Sequence, residues 1–349
     1  MPVVGMMHHK QDPSRVNRAY ACASVAKAEG IPFYYFTPDE VDIQNETING
    51  FVYEDGRWTR RNLPFPDVVY NTGSPQEFKS YSSTINVLKK RVPFTTMALG
   101  NKRRVYERLT KANKYMEYLP ETEVIRSPSD PIQFLEKYSR IVIKPADGRK
   151  GIGVVFVELT PQGIRVTEAQ QSRILSLAQF SQYIKDTLLN KDHLVQPYIK
   201  SVTKHGLACD FRLHVQKNGQ GEWVFVAAFV RVAPPGTIVC NISSGGYFNY
   251  LKAFLIHEYG ERYRIIRKKL QHFALGLANH LDEIHAEKFK SRLDELGIDI
   301  GIDENEQIWL YEVNWRPGSP PALYLELDVI KNALQYAVYV ARTNCKKRQ

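Results

Sequence analysis

A chain of 349 residues, at roughly 150 residues per domain, predicts about two domains and a sizeable buried core. With 43% hydrophobic and 24% charged residues, the composition excludes intrinsic disorder and fibrous repeats. Net charge is +10, from 47 basic against 37 acidic residues, so nucleic acid or an anionic substrate is an admissible partner. The basic residues are spread in short clusters such as Arg60-Arg61, Lys89-Lys90-Arg91 and Arg267-Lys268-Lys269, which read as solvated faces and make nucleic acid the weaker choice.

No stretch approaches the roughly 18 uninterrupted apolar residues that a membrane helix needs. Met1 runs straight into Pro2-Val-Val-Gly with no basic segment before a long apolar one, so no membrane association or secretion is expected. Cys22, Cys209, Cys240 and Cys345 lie far apart and match no CxxC spacing, which predicts a reducing, cytoplasmic setting without structural zinc.

In chain order, residues 2 to 7 read as a strand, 15 to 29 as a helix stopped by Gly30, and Ile31 to Phe36 as a second strand. Thr47 to Trp58 reads as a hairpin about Glu54-Asp-Gly-Arg, and Asp67-Val-Val-Tyr as a further strand. Together these predict a small open-sheet α/β layer over residues 1–98, with a boundary near Leu99-Gly100 and a second domain over 99–349. Lys102 to Tyr118 reads as a helix. Short β-rich runs follow: Ile141 to Lys144, Gly153 to Leu159, His193 to Ile199, Cys209 to Gln216 and Trp223 to Val232. The last two are joined by a turn whose Asn218-Gly219 pair tolerates positive φ. Glu261 to Leu296 is amphipathic and reads as a pair of helices packed on a sheet. Gly297 to Asp303 and Ile308 to Asn314 form a final hairpin.

Three constellations carry chemistry. In the first, Lys144 leaves a strand, glycines 148, 151 and 153 follow, and a strand resumes. Such a loop exposes backbone N–H groups to phosphates beside a fixed positive charge, although a glycine-rich turn taken alone is more often a plain hairpin. No helix follows the glycines and no GxxxxGK[ST] occurs, which excludes the dinucleotide fingerprint and the Walker A loop. In the second, Glu312 and Asn314 share a strand face and a facing strand can place Asp299 beside them. Three oxygen-bearing side chains suit Mg²⁺; the alternative is a solvent face whose carboxylates neutralise nearby lysines. In the third, Asp210, Arg212 and His214 share a strand face near Arg231 and Asn241, a costly set of charges to bury unless they pair or bind a charged ligand. His214 reads as a packing or capping residue, and His8-His9 as a pair that can face a cleft.

The order of these elements resembles the ATP-grasp superfamily from about Leu99 to the C-terminus, and within it the YheC/YheD group of endospore coat-associated proteins. The residues that carry the resemblance are Lys102, Lys144-Pro with its glycine loop, Gln196-Pro-Tyr-Ile199, Asp210-Phe-Arg212, Arg231, Asn241, Asp299 and Glu312-Val-Asn314. The resemblance implies an ATP-grasp fold of two α+β subdomains gripping ATP, preceded by a small Rossmann-like α/β domain. It implies that Lys102 and Lys144 contact the α- and β-phosphates, with Gly148, Arg149, Lys150, Gly151 and Gly153 closing above them. Gln196, Tyr198 and Ile199 fall on the hinge that receives adenine, and Asp210, with Arg212 beside it, falls where a side chain meets the ribose. Asp299, Glu312 and Asn314 match positions that hold Mg²⁺ or Mn²⁺, while Arg231, Asn241 and Arg316 point toward the transferred phosphate or the acyl substrate. Such hinges often begin with Glu; here Gln196 precedes Pro197, which removes a backbone donor.

What the resemblance implies is an ATP-dependent carboxylate–amine or carboxylate–thiol ligase acting in the cytoplasm, with a link to sporulation or the cell envelope. The alternative is a spore coat-associated structural protein that holds ATP without turnover. No GxSxG elbow or paired Cys and His arrangement competes with this chemistry.

Overall fold

A computed structural model describes the chain except residues 74–76, 101, 147, 149–150, 169–170, 318–322 and 346–349 and the side chains of residues 102, 243, 323–328 and 345. Arg149 and Lys150 therefore lie outside the described residues. Among the described residues the chain forms three sheets.

The first sheet grows from strand β1 (Val4–Met7), helix α1 (Asn17–Ala28), β2 (Phe33–Phe36), β3 (Val41–Asp42), the hairpin β4 (Thr47–Glu54) and β5 (Arg57–Pro64), β6 (Val68–Asn71), α2 (Ser82–Arg91) and β7 (Phe94–Thr95). Its order is β3-β4-β2-β1-β6-β7, with β5 paired to β4. β1 lies parallel to both β2 and β6. The β4–β5 turn places Asp55 and Gly56 at positive φ, the backbone that a two-residue hairpin needs. One face buries Val4, Met6 and Tyr70 under α1; the other buries Met7, Phe36 and Val69 under Ile85 and Leu88 of α2.

The second sheet follows α3 (Lys102–Ala112) and comprises β8 (Glu123–Val124), β9 (Arg140–Pro145), β10 (Val155–Thr160), β11 (Gly163–Glu168), β12 (Gln171–Leu175) and β13 (His193–Pro197), with α4 (Ser129–Tyr138) and α5 (Leu177–Tyr183) on one side. The helix expected from Lys102 to Tyr118 ends at Ala112, because Asn113 and Tyr115 take positive φ. Strand alternation sets the faces: Ile141, Ile143, Val155 and Val195 pack on Phe134, Phe180 and Ile184, so Val142 and Lys144 face away from the helices. β11 and β12 were not expected; Arg173 and Ser172 break the apolar run that marks a strand.

The third sheet has the order β16-β15-β14-β17-β18. It is built from β14 (Cys209–Lys217), β15 (Trp223–Val232), β16 (Tyr247–Tyr250), α6 (Leu251–Tyr259), α7 (Tyr263–Phe289), β17 (Glu295–Ile302) and β18 (Ile308–Asn314). The stretch expected as two helices is the single helix α7. Its Ile266, Leu270, Phe273, Leu277 and Leu281 form one stripe on Phe211, Leu213, Ile298 and Ile300. In the β14–β15 turn, positive φ falls on Gly221 rather than on the Asn218-Gly219 pair, and Asn218 Oδ1 instead accepts from the N–H groups of Gln220 and Glu222 at 3.0 Å.

The chain closes with α8 (Leu323–Cys345), which returns to the first sheet and packs Ile330, Leu334 and Ala337 beside Ala19 and Ala26 of α1. Lys217 Nζ ties this helix to the third sheet: it bonds Asp282 at 2.7 Å and stands 5.6 Å from the Tyr336 ring. Among the described residues no helix is long and apolar enough to cross a membrane. The cysteines with described side chains, Cys22, Cys209 and Cys240, are buried and unbridged.

Candidate functional site

The helix-free faces of the second and third sheets meet across a cleft. Val142, Lys144 and Gln196 line it from one sheet; Asp210, Arg231, Asp299, Tyr311 and Glu312 line it from the other. Gly151, Tyr198, Ile199 and Asn241 close its ends.

The third sheet presents charge to this cleft through its register. On β17, Ile298, Ile300 and Ile302 are buried in the core, so Gly297, Asp299 and Gly301 take the other face. An added Cβ at Gly297 would overlap Pro317, and one at Gly301 would overlap the Tyr311 hydroxyl, so Asp299 is the one side chain this face of the strand can carry there. On β18, Ile308 and Leu310 face the core, and simple alternation would bury Glu312 and Asn314 with them. A β-bulge prevents this: Asp299 pairs with Glu312 and Ile300 with Leu310, leaving Tyr311 as the extra residue. The bulge inverts the parity, returns Val313 to the core and turns Glu312 and Asn314 toward Asp299.

The charges form one network. Arg231 donates from Nε and Nη2 to the two oxygens of Asp210 at 2.6 and 2.9 Å, and from Nη1 to Asn241 Oδ1 at 3.2 Å. Arg212 grips Asp299 with both Nε and Nη2, and Arg231 Nη2 also reaches Asp299 Oδ2 at 3.1 Å. Glu312 lies within hydrogen-bonding reach of Asp299 and accepts from Asn314 Nδ2 at 2.7 Å. Burial pushes Asp210 up to about 6 in spite of Arg231. For Asp299 burial acts in the same sense but is outweighed by Arg212 and Arg231, which hold its carboxyl well below the usual range. Asp299 is therefore ionised and Asp210 is the softer partner.

Across the cleft Lys144 is only 9% exposed; its Nζ lies 3.5 Å from the Tyr311 carbonyl and 5.9 Å from the Tyr106 ring. Gly151 has φ +73°, and an added Cβ there would come within 2.6 Å of Val239 Cγ1 and 2.8 Å of Asn241 Nδ2. The glycine loop thus touches the segment that carries Asn241, a closeness that only glycine allows. Gly148 and Gly153 fold against Pro145. Gln196 donates to Tyr106 Oη and Thr122 Oγ1, at 3.1 and 2.6 Å, and is 4% exposed.

The structure thus brings together Lys144, Gly151, Gln196, Tyr198, Ile199, Asp210, Arg231, Asn241, Asp299 and Glu312, with Arg212 and Asn314 joined by hydrogen bonds. Lys102 opens α3, and its side chain lies outside the described residues. Arg316 stands apart: it bonds the carbonyls of Gly73 and Asn71 on the first sheet and lines a different cavity. His214 packs as expected, at 1% exposure, and in addition pairs with Glu295 at 2.9 Å. Sequence reasoning missed Tyr106, which underlies Lys144, and the bulged Tyr311. It also missed Val142, which alternation could have found, since Ile141 and Ile143 claim the core.

Among the described residues no group of three or more His, Cys, Asp or Glu is placed to hold a metal. Asp299, Glu312 and Asn314 instead form an all-oxygen set of two carboxylates and an amide, which fits a hard divalent cation that leaves room for phosphate oxygens. Opposed to them are Lys144 and a glycine turn, so the cleft can take a polyphosphate between fixed positive charge and acidic oxygens.

The comparisons agree with this arrangement. A family model described as YheC/D-like ATP-grasp matches residues 91–340. The endospore coat-associated protein YheD of Bacillus subtilis (strain 168) is 28% identical over 329 residues, covering 88% of this chain and 70% of that protein. YheC of the same organism is 26% identical over 320 residues, covering 87% of this chain and 86% of that protein. Among solved structures, the D-alanyl-alanine synthetase A of Vibrio cholerae superposes with a TM-score of 0.56 at 14% identity, covering 98% of each chain, which is a likeness of fold. With its three sheets, its charged cleft and a family match over most of its length, the chain belongs to the YheC/D-like ATP-grasp family.

Proposed function

We propose that the protein is an ATP-dependent ligase that activates a carboxylate as an acyl phosphate and passes it to an amine or thiol. The observation that supports this most is the Arg231 network: one guanidinium shared between Asp210, Asp299 and Asn241, facing Lys144 and the glycine loop. In this reading the polyphosphate lies along Lys144 and the loop at Gly148, Gly151 and Gly153, and Lys102 is the second cation that the family resemblance assigns to it. Asp299, Glu312 and Asn314 would hold Mg²⁺, which when bound neutralises phosphate charge. Arg231 and Asn241 face the group in transfer, and Arg212 fixes Asp299 for its task.

A carboxylate oxygen attacks the γ-phosphorus, an O–P bond forms, the β–γ anhydride breaks and ADP leaves. The acceptor nitrogen or sulfur then attacks the acyl carbon, the phosphate departs and the acceptor loses a proton. Neither step needs a protein nucleophile; positioning and charge stabilisation supply the catalysis. At the hinge, Pro197 has no N–H and that of Tyr198 is spent on the Arg140 carbonyl at 2.9 Å. A base bound there is read by the carbonyls of the hinge and the Ile199 N–H.

The two Bacillus relatives are named as endospore coat-associated, so we place this ligase in the same setting. The test is ADP release from ATP and Mg²⁺ with a panel of carboxylic acids crossed with amines and thiols. Release that requires both an acid and an acceptor supports the ligase. ATP binding without ADP release in any combination favours a coat protein that holds nucleotide.

A further inference from the structure

Beyond the nucleotide cleft, β14 and β17 carry a second run of polar side chains toward the first sheet. Gln216 Nε2 donates to Glu295 Oε1 at 3.2 Å, the oxygen that also meets His214, and Arg18 from the first turn of α1 comes within 3.8 Å of it. Gln216 and Glu295 are 1% and 5% exposed. The arrangement is not closed. Arg18 Nε and Nη2, Arg316 Nε, Gln216 Oε1 and Asn71 Oδ1 are all buried without a hydrogen-bond partner. Leaving buried donors unmet is costly, so the three guanidinium nitrogens of Arg18 and Arg316 call for a hydrogen-bond acceptor.

Its position is also that of a binding crevice. β1 pairs with β2 on one side and β6 on the other, so the chain crosses over in opposite directions from it. In open α/β sheets, ligands settle beyond the carboxyl ends of the strands at such a switch point. There stand His8, just past β1; Asn71, at the end of β6; and Arg316, whose Nη2 donates to the Asn71 carbonyl at 2.9 Å and whose guanidinium stacks on Trp315 at 4.3 Å. Arg316 donates to neutral carbonyls and among the described residues forms no salt bridge. His8 Nδ1 accepts from the Lys10 N–H at 3.0 Å, which leaves the ring proton on Nε2 as a donor.

Two guanidinium groups with N–H donors to spare and a neutral imidazole donor match the planar, bidentate geometry of a carboxylate. The turn that carries Arg316 is fastened to the phosphate end of the cleft, because Arg212 Nη1 donates to the Pro317 carbonyl at 3.2 Å while its other nitrogens hold Asp299. We infer that the crevice at the carboxyl ends of β1 and β6, framed by Arg18, Arg316, His8 and Asn71, seats a second carboxylate of the acid substrate, which is therefore a small diacid or an amino acid bearing a further carboxylate. This rests on the ligase reading above. The carboxylate held here is the one that is not phosphorylated.

Calorimetric titration of the ADP- and Mg²⁺-loaded protein tests it with matched pairs: succinate against succinamate, glutarate against glutaramate, and L-glutamate against its α-amide. At least one diacid binds tenfold or more tightly than its amide partner in the wild type. Arg316→Gln and Arg18→Gln bring that ratio to within twofold, and Arg316→Lys, which keeps the charge but loses the fork, gives a value between. The thermal shift caused by ATP and Mg²⁺ serves as the folding and nucleotide control. If ATP binds and no pair is discriminated, or if both Gln variants keep the preference, the inference falls and the ligase reading stands. If ATP and Mg²⁺ produce no shift while a diacid is still preferred through Arg316, the crevice stands and the ligase reading falls.

Discussion

Asp299 stands directly opposite Glu312 in the β17–β18 pairing, and the residue before Glu312, Tyr311, has no partner of its own. That one unpaired residue decides whether two polar side chains lie in the core or in the cleft. The glycine at 301 makes the bulge possible, since a Cβ there would meet the Tyr311 ring.

Gly301→Ala should therefore act on the site through Tyr311. Overpacking of this kind costs about 1–3 kcal/mol. Urea denaturation should show a loss in that range, and ATP affinity should fall with it, because the displaced ring borders the nucleotide cleft. A variant with unchanged affinity would show that Tyr311 does not shape the nucleotide site.

Arg231→Gln leaves Asp210 and Asp299 without their shared cation. Breaking a buried ion pair by removing one partner costs about 3–5 kcal/mol, because a buried charge is left uncompensated. Asp210→Asn should cost less, and the double variant should be more stable than the sum of the two losses predicts. A coupling below about 0.5 kcal/mol in the denaturation cycle would show that the two residues act independently.

Much of this was legible beforehand, and the reason is alternation. Ile141 and Ile143 on one side of Lys144, and Ile298 and Ile300 on either side of Asp299, assign faces without a structure. The ordered series from Lys144 to Asn314 then pointed to the fold that the structure shows. The bulge at Tyr311 was not legible, since nothing in Leu-Tyr-Glu-Val-Asn marks an extra residue. Nor was the return of α8 to the first sheet: its apolar residues identify a buried helix, but the partner lies some 300 positions earlier in the chain. The pairing of His214 with Glu295 was missed because the two are joined only by strand register, across 81 positions.

Asp294 should make stability depend on pH. It is buried at the joint between the first and third sheets, accepts from the Thr96 N–H at 2.9 Å, and is pushed up to about 7 by burial and by Glu295. A carboxyl raised in the folded state gives a contribution that is full below its unfolded pKa near 4 and is lost as pH rises to about 7, by at most about 1.4 kcal/mol per unit. Wild type should thus lose stability relative to Asp294→Asn between pH 4 and pH 7. Parallel stability curves for the two proteins over that range would contradict the burial of an uncompensated charge at this joint.

The most direct measurement of the central claim is capture of the activated acid. Hydroxylamine attacks acyl phosphates to give hydroxamates, so it replaces an unknown acceptor in a mixture of protein, ATP, Mg²⁺ and a panel of carboxylic acids. For the true acid, a hydroxamate should form in a one-to-one ratio with ADP. Glu312→Gln, which removes one charge beside Asp299 and should stay folded, should reduce both products together by at least a hundredfold. ADP formed with no hydroxamate from any acid, or full hydroxamate yield from Glu312→Gln, would contradict carboxylate activation at this site.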